Sequence, residues 1–303
     1  MDLRQLRYFL AVADTRHFGQ AARNMHITQP PLSMQIRRLE DELGVALLER
    51  HTRQVGLTEA GRVFEAHIRR ILEDLERSAV DAQHAAAGLA GTLEVGFISS
   101  ATLSIMPPAL QRFGQQYPNV SLSLKELTSG QQIDALYDGT IRIGLLRLPI
   151  DAPGLHVQPL LTEALVVALP ETHPLAERAE LAMDDIKDQP LVFIHRSDIP
   201  GFHDHIQALF RDHGARPRIA QRAKQLQTII GLVAGGAGIA LLPGSSRHLQ
   251  RDSVVYRPLA AADSETTLAM VRLAGEPSAL LQHFEQTLTA EATRLRRGVQ
   301  DEA

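Results

Sequence analysis

The sequence predicts an α/β protein in three parts: an N-terminal winged helix-turn-helix, a long linker helix and a two-lobed α/β domain. Three observations predict this fold. Short apolar-periodic helices fill about the first sixty residues, one helical pattern of about thirty residues follows, and strands then alternate with helices. The 303 residues leave room for more than one domain. We expect the parts to span residues 1–58, 59–90 and 91–303.

Composition and charge narrow the class of protein. The chain is 44% hydrophobic and 22% charged, which is ordinary for a folded protein. It contains no cysteine, which excludes a disulfide framework and any thiol-based metal or redox sensor. Residues 1–70 carry eleven Arg and eight acids, a net +3, whereas the remainder carries 20 basic and 27 acidic residues, a net −7. This asymmetry indicates that the N-terminal end faces nucleic acid.

The chain shows no sign of a membrane or export segment. Its start has no apolar run of the kind found in secretory signals. The longest uncharged apolar stretch, residues 229–243, is interrupted by four glycines and is too short to cross a bilayer. We expect a cytoplasmic protein.

Three short helices are predicted at the N-terminus. Apolar residues recur at helical spacing over residues 3–13, and a second short piece covers residues 18–25. A third helix runs from about Gln29 to Leu43, with Thr28 as its N-cap, two prolines in its first turn and Gly44 after its end. Three helices with a tight turn before the third describe a helix-turn-helix.

The exposed face of the third helix suits DNA recognition. Gln and Arg read base edges in a major groove, and Ser bonds bases or phosphates. Two short strands around a polar turn over residues 47–58 predict a wing, where Arg50 and Arg53 would meet the DNA backbone or minor groove. The alternative is a solvated helical face on a small bundle. The outward-facing residues of this helix are Gln29, Ser33, Met34, Gln35, Arg37 and Arg38.

Heptad spacing marks the long helix that begins after Thr58. The stripe steps by four and three residues over almost four heptads and is flanked by mixed charges. Self-pairing of this helix would place two recognition helices on a dyad site. The alternative is packing within its own chain. Gly88 and Gly91 then mark a hinge into the next domain. The stripe consists of Phe64, Ile68, Ile71, Leu75, Ser78, Ala82, Ala85 and Leu89.

Residues 1–61 closely resemble the DNA-binding domain of the LysR-type transcriptional regulators. The resemblance implies that Gln29, Pro30 and Ser33 face bases or adjacent phosphates, that Thr28 begins the same contact surface, and that Arg50 and Arg53 are wing positions. Met34 departs from the family, because it can touch only a thymine methyl. The family also implies paired linker helices and a dimer of dimers. The matching stretches include Thr28-Gln29-Pro30-Pro31-Leu32-Ser33, Ile36-Arg37-Arg38-Leu39-Glu40 and Leu57-Thr58-Glu59-Ala60-Gly61.

The C-terminal two hundred residues read as two α/β lobes. Strands and helices alternate, which predicts a largely parallel sheet. Crossovers are expected at residues 149–159 and around 260–264, so that lobe I holds residues 91–162 and 266–303 and lobe II holds residues 163–265. Ligands bind in clefts at the carboxyl ends of such strands.

This region resembles the LysR effector domain, which is similar to periplasmic solute-binding proteins. The likeness is greatest to the branch that responds to muconate and benzoate. In that branch hydroxyls and backbone N–H groups hold a carboxylate. The resemblance implies that these groups belong to Ser99 or Ser100, to Thr128 or Ser129, and to Phe202, and that Arg147 lines the same cleft. Such groups at strand ends and helix starts suit a small anion without reference to the family. The alternatives are ordinary N-caps for the hydroxyls and a surface salt bridge for Arg147.

No enzyme signature is present in the sequence. It has no Gly-x-Ser-x-Gly, His-Glu-x-x-His or P-loop motif, and His203 and His205 would lie on different sides of a helix. We therefore expect no catalytic residue, metal or cofactor. A small-molecule-binding protein whose N-terminal segment only oligomerises is the competing class. The predicted function is a homo-oligomeric transcriptional regulator that binds double-stranded DNA at a dyad, contacts RNA polymerase and responds to an aromatic acid or dicarboxylate.

Overall fold

The computed structural model describes residues 1–50, 55–261 and 264–301, with the backbone alone for Arg50 and for residues 298–301. The chain divides into two compact units, Met1–Gln83 and His84–Ala303. No helix among the described residues is long and apolar enough to cross a membrane. The first unit contains α1 (Leu3–Thr15), α2 (Phe18–Asn24), α3 (Gln29–Leu43), β1 (Leu48–Arg50), β2 (Val55–Leu57) and most of α4 (Glu59–Ala86).

The winged helix-turn-helix follows from local signals. Asp2 caps α1 through a reciprocal capping box with Gln5. Gly44 ends α3 with a φ of 69°, a left-handed conformation that glycine adopts without strain. β1 and β2 pair antiparallel to form the wing. Phe9 and Leu32 are fully buried in the core that the three helices share. The predicted helix-turn-helix is therefore confirmed.

The apolar stripe of α4 divides into two parts. Phe64 packs edge-on against Phe9 with ring centroids 5.4 Å apart, and Ile68 is buried in the same core. Ile71 and Leu75 are 51% and 42% exposed. The prediction that the whole stripe forms one self-pairing seam is therefore wrong for Phe64 and Ile68. These two residues pack within their own chain, which was the alternative. Within the stripe, exposed apolar side chains begin at Ile71.

The second unit contains lobe I and lobe II. In lobe I, β3 pairs parallel with β4 and β5, and β5 pairs antiparallel with β12. Three helices cover this sheet. The elements of lobe I are β3 (Gly91–Phe97), α5 (Met106–Gln116), β4 (Val120–Glu126), α6 (Ser129–Tyr137), β5 (Ile143–Arg147), β12 (Glu265–Leu273) and α10 (Ala279–Asp301).

One strand, β6 (Leu155–Pro170), runs through both lobes. Residues 155–164 pair antiparallel with β12, and residues 165–170 pair with strands of lobe II. The expected crossover at residues 149–159 is wrong in its second half. Pro159, which cannot donate a ladder hydrogen bond, lies next to a β-bulge in which Leu160 is the extra residue opposite Leu268 and Ala269, a position where strands tolerate proline. These antiparallel pairings also make the sheet mixed rather than largely parallel.

The elements of lobe II surround the C-terminal part of β6, residues 165–170. Strands β8 and β9 pair parallel, and β10 and β11 both pair antiparallel with β6. The short β7 and α7 and the strand β11 were not expected from the sequence. The elements of lobe II are β7 (Leu181–Ala182), α7 (Met183–Ile186), β8 (Pro190–Ile194), α8 (Pro200–Asp212), β9 (Arg218–Ala223), α9 (Leu226–Ala234), β10 (Ala240–Pro243) and β11 (Val254–Ala260).

The segment after α4 is packed closely against lobe I. Gly88 has a φ of 70°, and a Cβ at this position would overlap the backbone of Leu280 at the start of α10. The side chain of His283 lies 3.1 Å (Nε2) from the carbonyl oxygen of Ala87. Gly88 was expected at a hinge. The structure instead gives it a close backbone approach that only glycine permits.

Candidate functional site

The outer face of α3 is available to a partner. Leu32, Ile36 and Leu39 are fully buried, which fixes the rotation of the helix and turns the opposite positions outward. Arg37 and Arg38 are exposed and form no ion pair with any described residue. Met34 is 47% exposed in the middle of this face. The exposed or half-buried residues are Thr28, Gln29, Pro30, Ser33, Met34, Gln35, Arg37 and Arg38, as the sequence predicted.

Thr28 occupies the N-cap of α3 but does not act as a cap through its side chain. Its backbone is extended, yet its hydroxyl makes no capping hydrogen bond. A capping oxygen normally accepts from the N–H of the second or third helical residue. Here those residues are Pro30 and Pro31, which have no N–H. The hydroxyl of Thr28 is therefore exposed and free to bind another group.

Of the two arginines predicted for the wing, the structure describes the position of one. Arg50 is the last residue of β1 and pairs with Val55, although only its backbone is described. Arg53 lies outside the described residues. The start of β2 is held to the helical part of the domain, because the N–H of Val55 donates to the carbonyl oxygen of Arg16 at 3.3 Å.

A cavity of about 40 Å³ lies between the two lobes of the second unit. Four of the six residues predicted for ligand binding line it: Ser99, Ser100, Arg147 and Phe202. A cavity of about 150 Å³ is needed to hold a benzene ring. The space is therefore too small for an aromatic ligand until side chains or lobes move apart.

The rest of the lining is almost entirely apolar. Small-molecule sites combine such walls with a few polar groups that orient the ligand. The aliphatic and aromatic side chains would cover the flat faces of a ring, and the polar groups would contact its substituents. The apolar lining residues, besides Phe202, are Val192, Phe193, Ile194, Ile199, Leu226, Ile229, Leu241, Leu242 and Pro243.

Thr128 and Ser129 do not line this cavity. Thr128 is the N-cap of α6, where its Oγ1 accepts from the N–H of Gln131 at 3.3 Å, so the alternative of an ordinary N-cap describes its hydroxyl. Ser129 is buried, and its N–H donates to the carbonyl oxygen of Asp198 at 3.0 Å across the lobe interface. Its hydroxyl has no partner among the described residues. Ser129 thus lies where the lobes touch.

Arg147 forms a buried ion pair rather than a surface salt bridge. The residue is 1% exposed, and its Nη2 donates to Oε1 of Glu163 at 2.7 Å. Burial lowers the pKa of Arg147 below its ordinary value, although the negative charge of Glu163 acts to raise it. Burial would raise the pKa of Glu163, but the charge and hydrogen bond of Arg147, together with the hydrogen bonds of Ser245, outweigh burial and hold that pKa low. The N–H of Ser245 also donates to Glu163, at 2.6 Å.

The lobes meet closely beside the cavity. Gly201, in the first turn of α8, faces Pro149 so closely that a Cβ on Gly201 would overlap the carbonyl oxygen of Pro149. The neighbouring Gly130 of α6 has only the carbonyl oxygen of Ser197 within contact range, at 3.8 Å. The start of α8 therefore approaches lobe I backbone to backbone.

Two residues of this cleft were missed in the sequence. Glu163 lies in the middle of β6, and its pairing with Arg147 depends on a register that local spacing does not reveal. Lys224 lines the cavity between β9 and α9. The chain has only three lysines beside 28 arginines, and this rarity was the one weak sign in the sequence that Lys224 could have a special role. His203 stacks on Phe193 instead of meeting other ligands, and the described residues contain no cluster able to hold a metal.

A winged helix with a free recognition face and a two-lobed domain with an apolar cleft define a DNA-binding protein that senses a small molecule. Comparison with known families agrees. Residues 3–62 match the bacterial regulatory helix-turn-helix protein of the lysR family, and residues 86–293 match the LysR substrate binding domain. The chain belongs to the LysR family of transcriptional regulators.

Individual relatives support this membership over the whole chain. The HTH-type transcriptional regulator AlsR of Bacillus subtilis (strain 168) is 35% identical over 294 residues, 97% of each chain. The crystal structure of full-length CbnR with its target DNA aligns with a TM-score of 0.86 and 28% identity, over 96% of this chain and 100% of that one. The BenM effector binding domain with its effector benzoate aligns with a TM-score of 0.60 and 29% identity, over 66% of this chain and 90% of that one. The relatives are regulators and not enzymes.

Proposed function

We propose that the protein binds a promoter site of dyad symmetry through the exposed face of α3 and the wing, and regulates transcription there. The single observation that carries this assignment is an outward helix face with two unpaired arginines and a free Thr28 hydroxyl. Side chains of these types read base edges and phosphates. The contact residues are Thr28, Gln29, Pro30, Ser33, Met34, Gln35, Arg37, Arg38, Arg50 and Arg53.

A salt-dependent anisotropy titration with promoter DNA tests this proposal. Phosphate contacts release counterions, so affinity should fall steeply as salt rises. Gln29→Ala or Ser33→Ala should weaken operator binding while far-UV circular dichroism and melting stay unchanged. Unchanged operator affinity in both variants would refute the assignment. A pure small-molecule-binding protein would show no salt-dependent affinity for promoter DNA.

We propose that the regulator acts in the cytoplasm as a homo-oligomer, a dimer of dimers. Residues 1–58 would bind DNA, 59–90 would pair subunits and 91–303 would bind the inducer. Exposed Ile71 and Leu75 on α4 support self-association of the linker. Sedimentation velocity should show a smaller species for Ile71→Glu with Leu75→Glu. Inducer binding would move paired DNA-binding domains relative to one another, and so alter DNA bending and contact with RNA polymerase.

We propose that the inducer is an aromatic acid or a dicarboxylate that binds between the lobes. Ser99, Ser100, Arg147 and the N–H groups near Phe202 would hold a carboxylate, with Thr128 and Ser129 on the adjoining edge. The apolar cavity that four of these residues line carries the proposal. A thermal-shift screen of such acids is the test, because a ligand that binds only the folded state raises the melting temperature. No shift with any member of the screen would refute it.

A further inference from the structure

A second cavity adjoins the ligand cavity between the lobes. Its volume is about 150 Å³, and the two cavities share Ser99 and Leu226 in their linings. Unlike the first cavity, the second is lined mainly by polar side chains. Lobe I contributes Glu126 to it, and lobe II contributes Gln225 and Gln227. The cleft therefore has an apolar inner part and a polar outer part.

Each part of the cleft carries one charge without a partner. The side chain of Glu126, the last residue of β4, makes no hydrogen bond or ion pair within the part of the chain that the structure describes. The same holds for Lys224, which lines the inner cavity. The two charges lie on opposite lobes and form no ion pair with each other. Arg147, the other cation of the inner part, already has Glu163 as its counter-ion at 2.7 Å, so Lys224 is the cation whose charge an inducer would have to balance.

We propose that the inducer is an aromatic monocarboxylate that carries a protonated amine at its other end. Its carboxylate contacts Lys224 and the hydroxyls of Ser99 and Ser100, its ring fills the apolar cavity, and its ammonium group contacts Glu126 in the second cavity. This inference rests on the proposed function and narrows it, because it selects against the dicarboxylate.

Charge complementarity decides between these ligands. A second carboxylate in the outer cavity would lie beside the unpaired Glu126, which repels it. An ammonium group there is attracted instead, and Gln225 and Gln227 add amide oxygens that accept its hydrogen bonds. A ring that fills the inner cavity excludes water from both contacts, which strengthens the discrimination. Specificity then comes from one favourable and one repulsive contact.

Isothermal titration calorimetry on the full chain at pH 7 tests this with three matched ligands: 3-(aminomethyl)benzoate, benzoate and isophthalate. We expect the aminomethyl compound to bind about threefold to tenfold more tightly than benzoate, and isophthalate to bind more weakly than benzoate. Glu126→Gln should bring all three affinities to within about twofold. Glu180→Gln, an exposed glutamate of lobe II without a partner among the described residues, is the matched control and should keep the order.

The outcomes separate this inference from the proposed function. Lys224→Gln should weaken all three ligands by a similar factor. If benzoate binds but the amine gives no advantage, or if its advantage survives in Glu126→Gln, the inference is wrong and the aromatic-acid site stands. If none of the three ligands binds, both the inference and the aromatic-acid assignment are wrong.

Discussion

The guanidinium of Arg147 and the carboxylate of Glu163 form an ion pair at the junction of the two lobes. Arg147 ends β5 in lobe I, and Glu163 lies in β6 just before the strand enters lobe II. Glu163 also accepts the N–H of Ser245, a residue of lobe II. Both charges are mostly or fully buried, so each depends on the other for solvation.

Glu163→Gln should destabilise the second unit. The change leaves the buried guanidinium of Arg147 without its counter-charge, and removal of one partner of a buried pair costs about 3–5 kcal/mol. Urea unfolding of the full chain measures the loss. Glu180→Gln is the control, with a change within about 0.5 kcal/mol. The double variant with Arg147→Met and Glu163→Met should recover most of the loss. A loss below about 1 kcal/mol in Glu163→Gln would contradict the buried pair.

Asp204 should make stability depend on pH in the acid range. Arg196 donates to both of its carboxylate oxygens, at 2.7 and 2.6 Å, and these hydrogen bonds lower the pKa of Asp204 to about 2. Because the folded pKa is depressed, the stabilisation is present above the unfolded value of about 3.9 and is lost as pH falls toward about 2.

Asp204→Asn tests this dependence. The Arg196–Asp204 pair is largely exposed, so the whole effect should stay within about 1 kcal/mol. Unfolding free energies at pH 6, 4 and 3 should fall less steeply in the variant than in the parent. Equal slopes in the two proteins would show that this pair does not contribute.

Thr28→Val and Thr58→Val should separate DNA binding from helix capping. Thr58 caps α4, because its Oγ1 accepts from the N–H of Gly61 at 2.9 Å and also donates to the carbonyl oxygen of Ala46. Thr58→Val should therefore cost about 1 kcal/mol in unfolding free energy. Thr28 makes no such bond, so Thr28→Val should leave stability unchanged and weaken operator affinity in an anisotropy titration. Loss of stability in Thr28→Val would contradict this division.

Gly201→Ala should prevent the close approach of α8 to lobe I. The added methyl overlaps the carbonyl oxygen of Pro149, and such overpacking costs about 1–3 kcal/mol. Thermal melting should show the loss, and inducer affinity should change with it. Gly130→Ala is the matched control, because its nearest neighbour at 3.8 Å is at ordinary contact distance. A melting temperature unchanged in Gly201→Ala would mean that the lobes do not rest on each other here.

Local signals explain which elements could be predicted from the sequence. The bounds of α3 follow from Thr28, two prolines and Gly44, all within its own segment. The bounds of β6 could not be predicted, because Pro159 suggests a break until its pairing with Ala269 of β12, more than a hundred residues later, is known. The same holds for Phe64 and Ile68, whose partners lie in α1 and its neighbours.

The candidate site shows a similar division. Ser99, Ser100, Arg147 and Phe202 could be chosen because their positions at strand ends and a helix start resemble those of the family. Glu163 and Lys224 could not, because their proximity to the cavity depends on tertiary pairing. Ligand binding by Thr128 stays a prediction: its capping bond to Gln131 is as local as the motif that suggested ligand binding, and Thr128 does not line the cavity.

The continuous strand β6 limits how the two lobes can move. Its ladder with β12 belongs to lobe I and its ladders with β10 and β11 belong to lobe II, so separation of the lobes by sliding would break hydrogen bonds on at least one side. Twisting or bending of the strand near Ala164 and Leu165 keeps both ladders intact. Rotation of the lobes about this point is therefore the motion we expect when an inducer arrives, and elements far from that point would travel further than the ligand does.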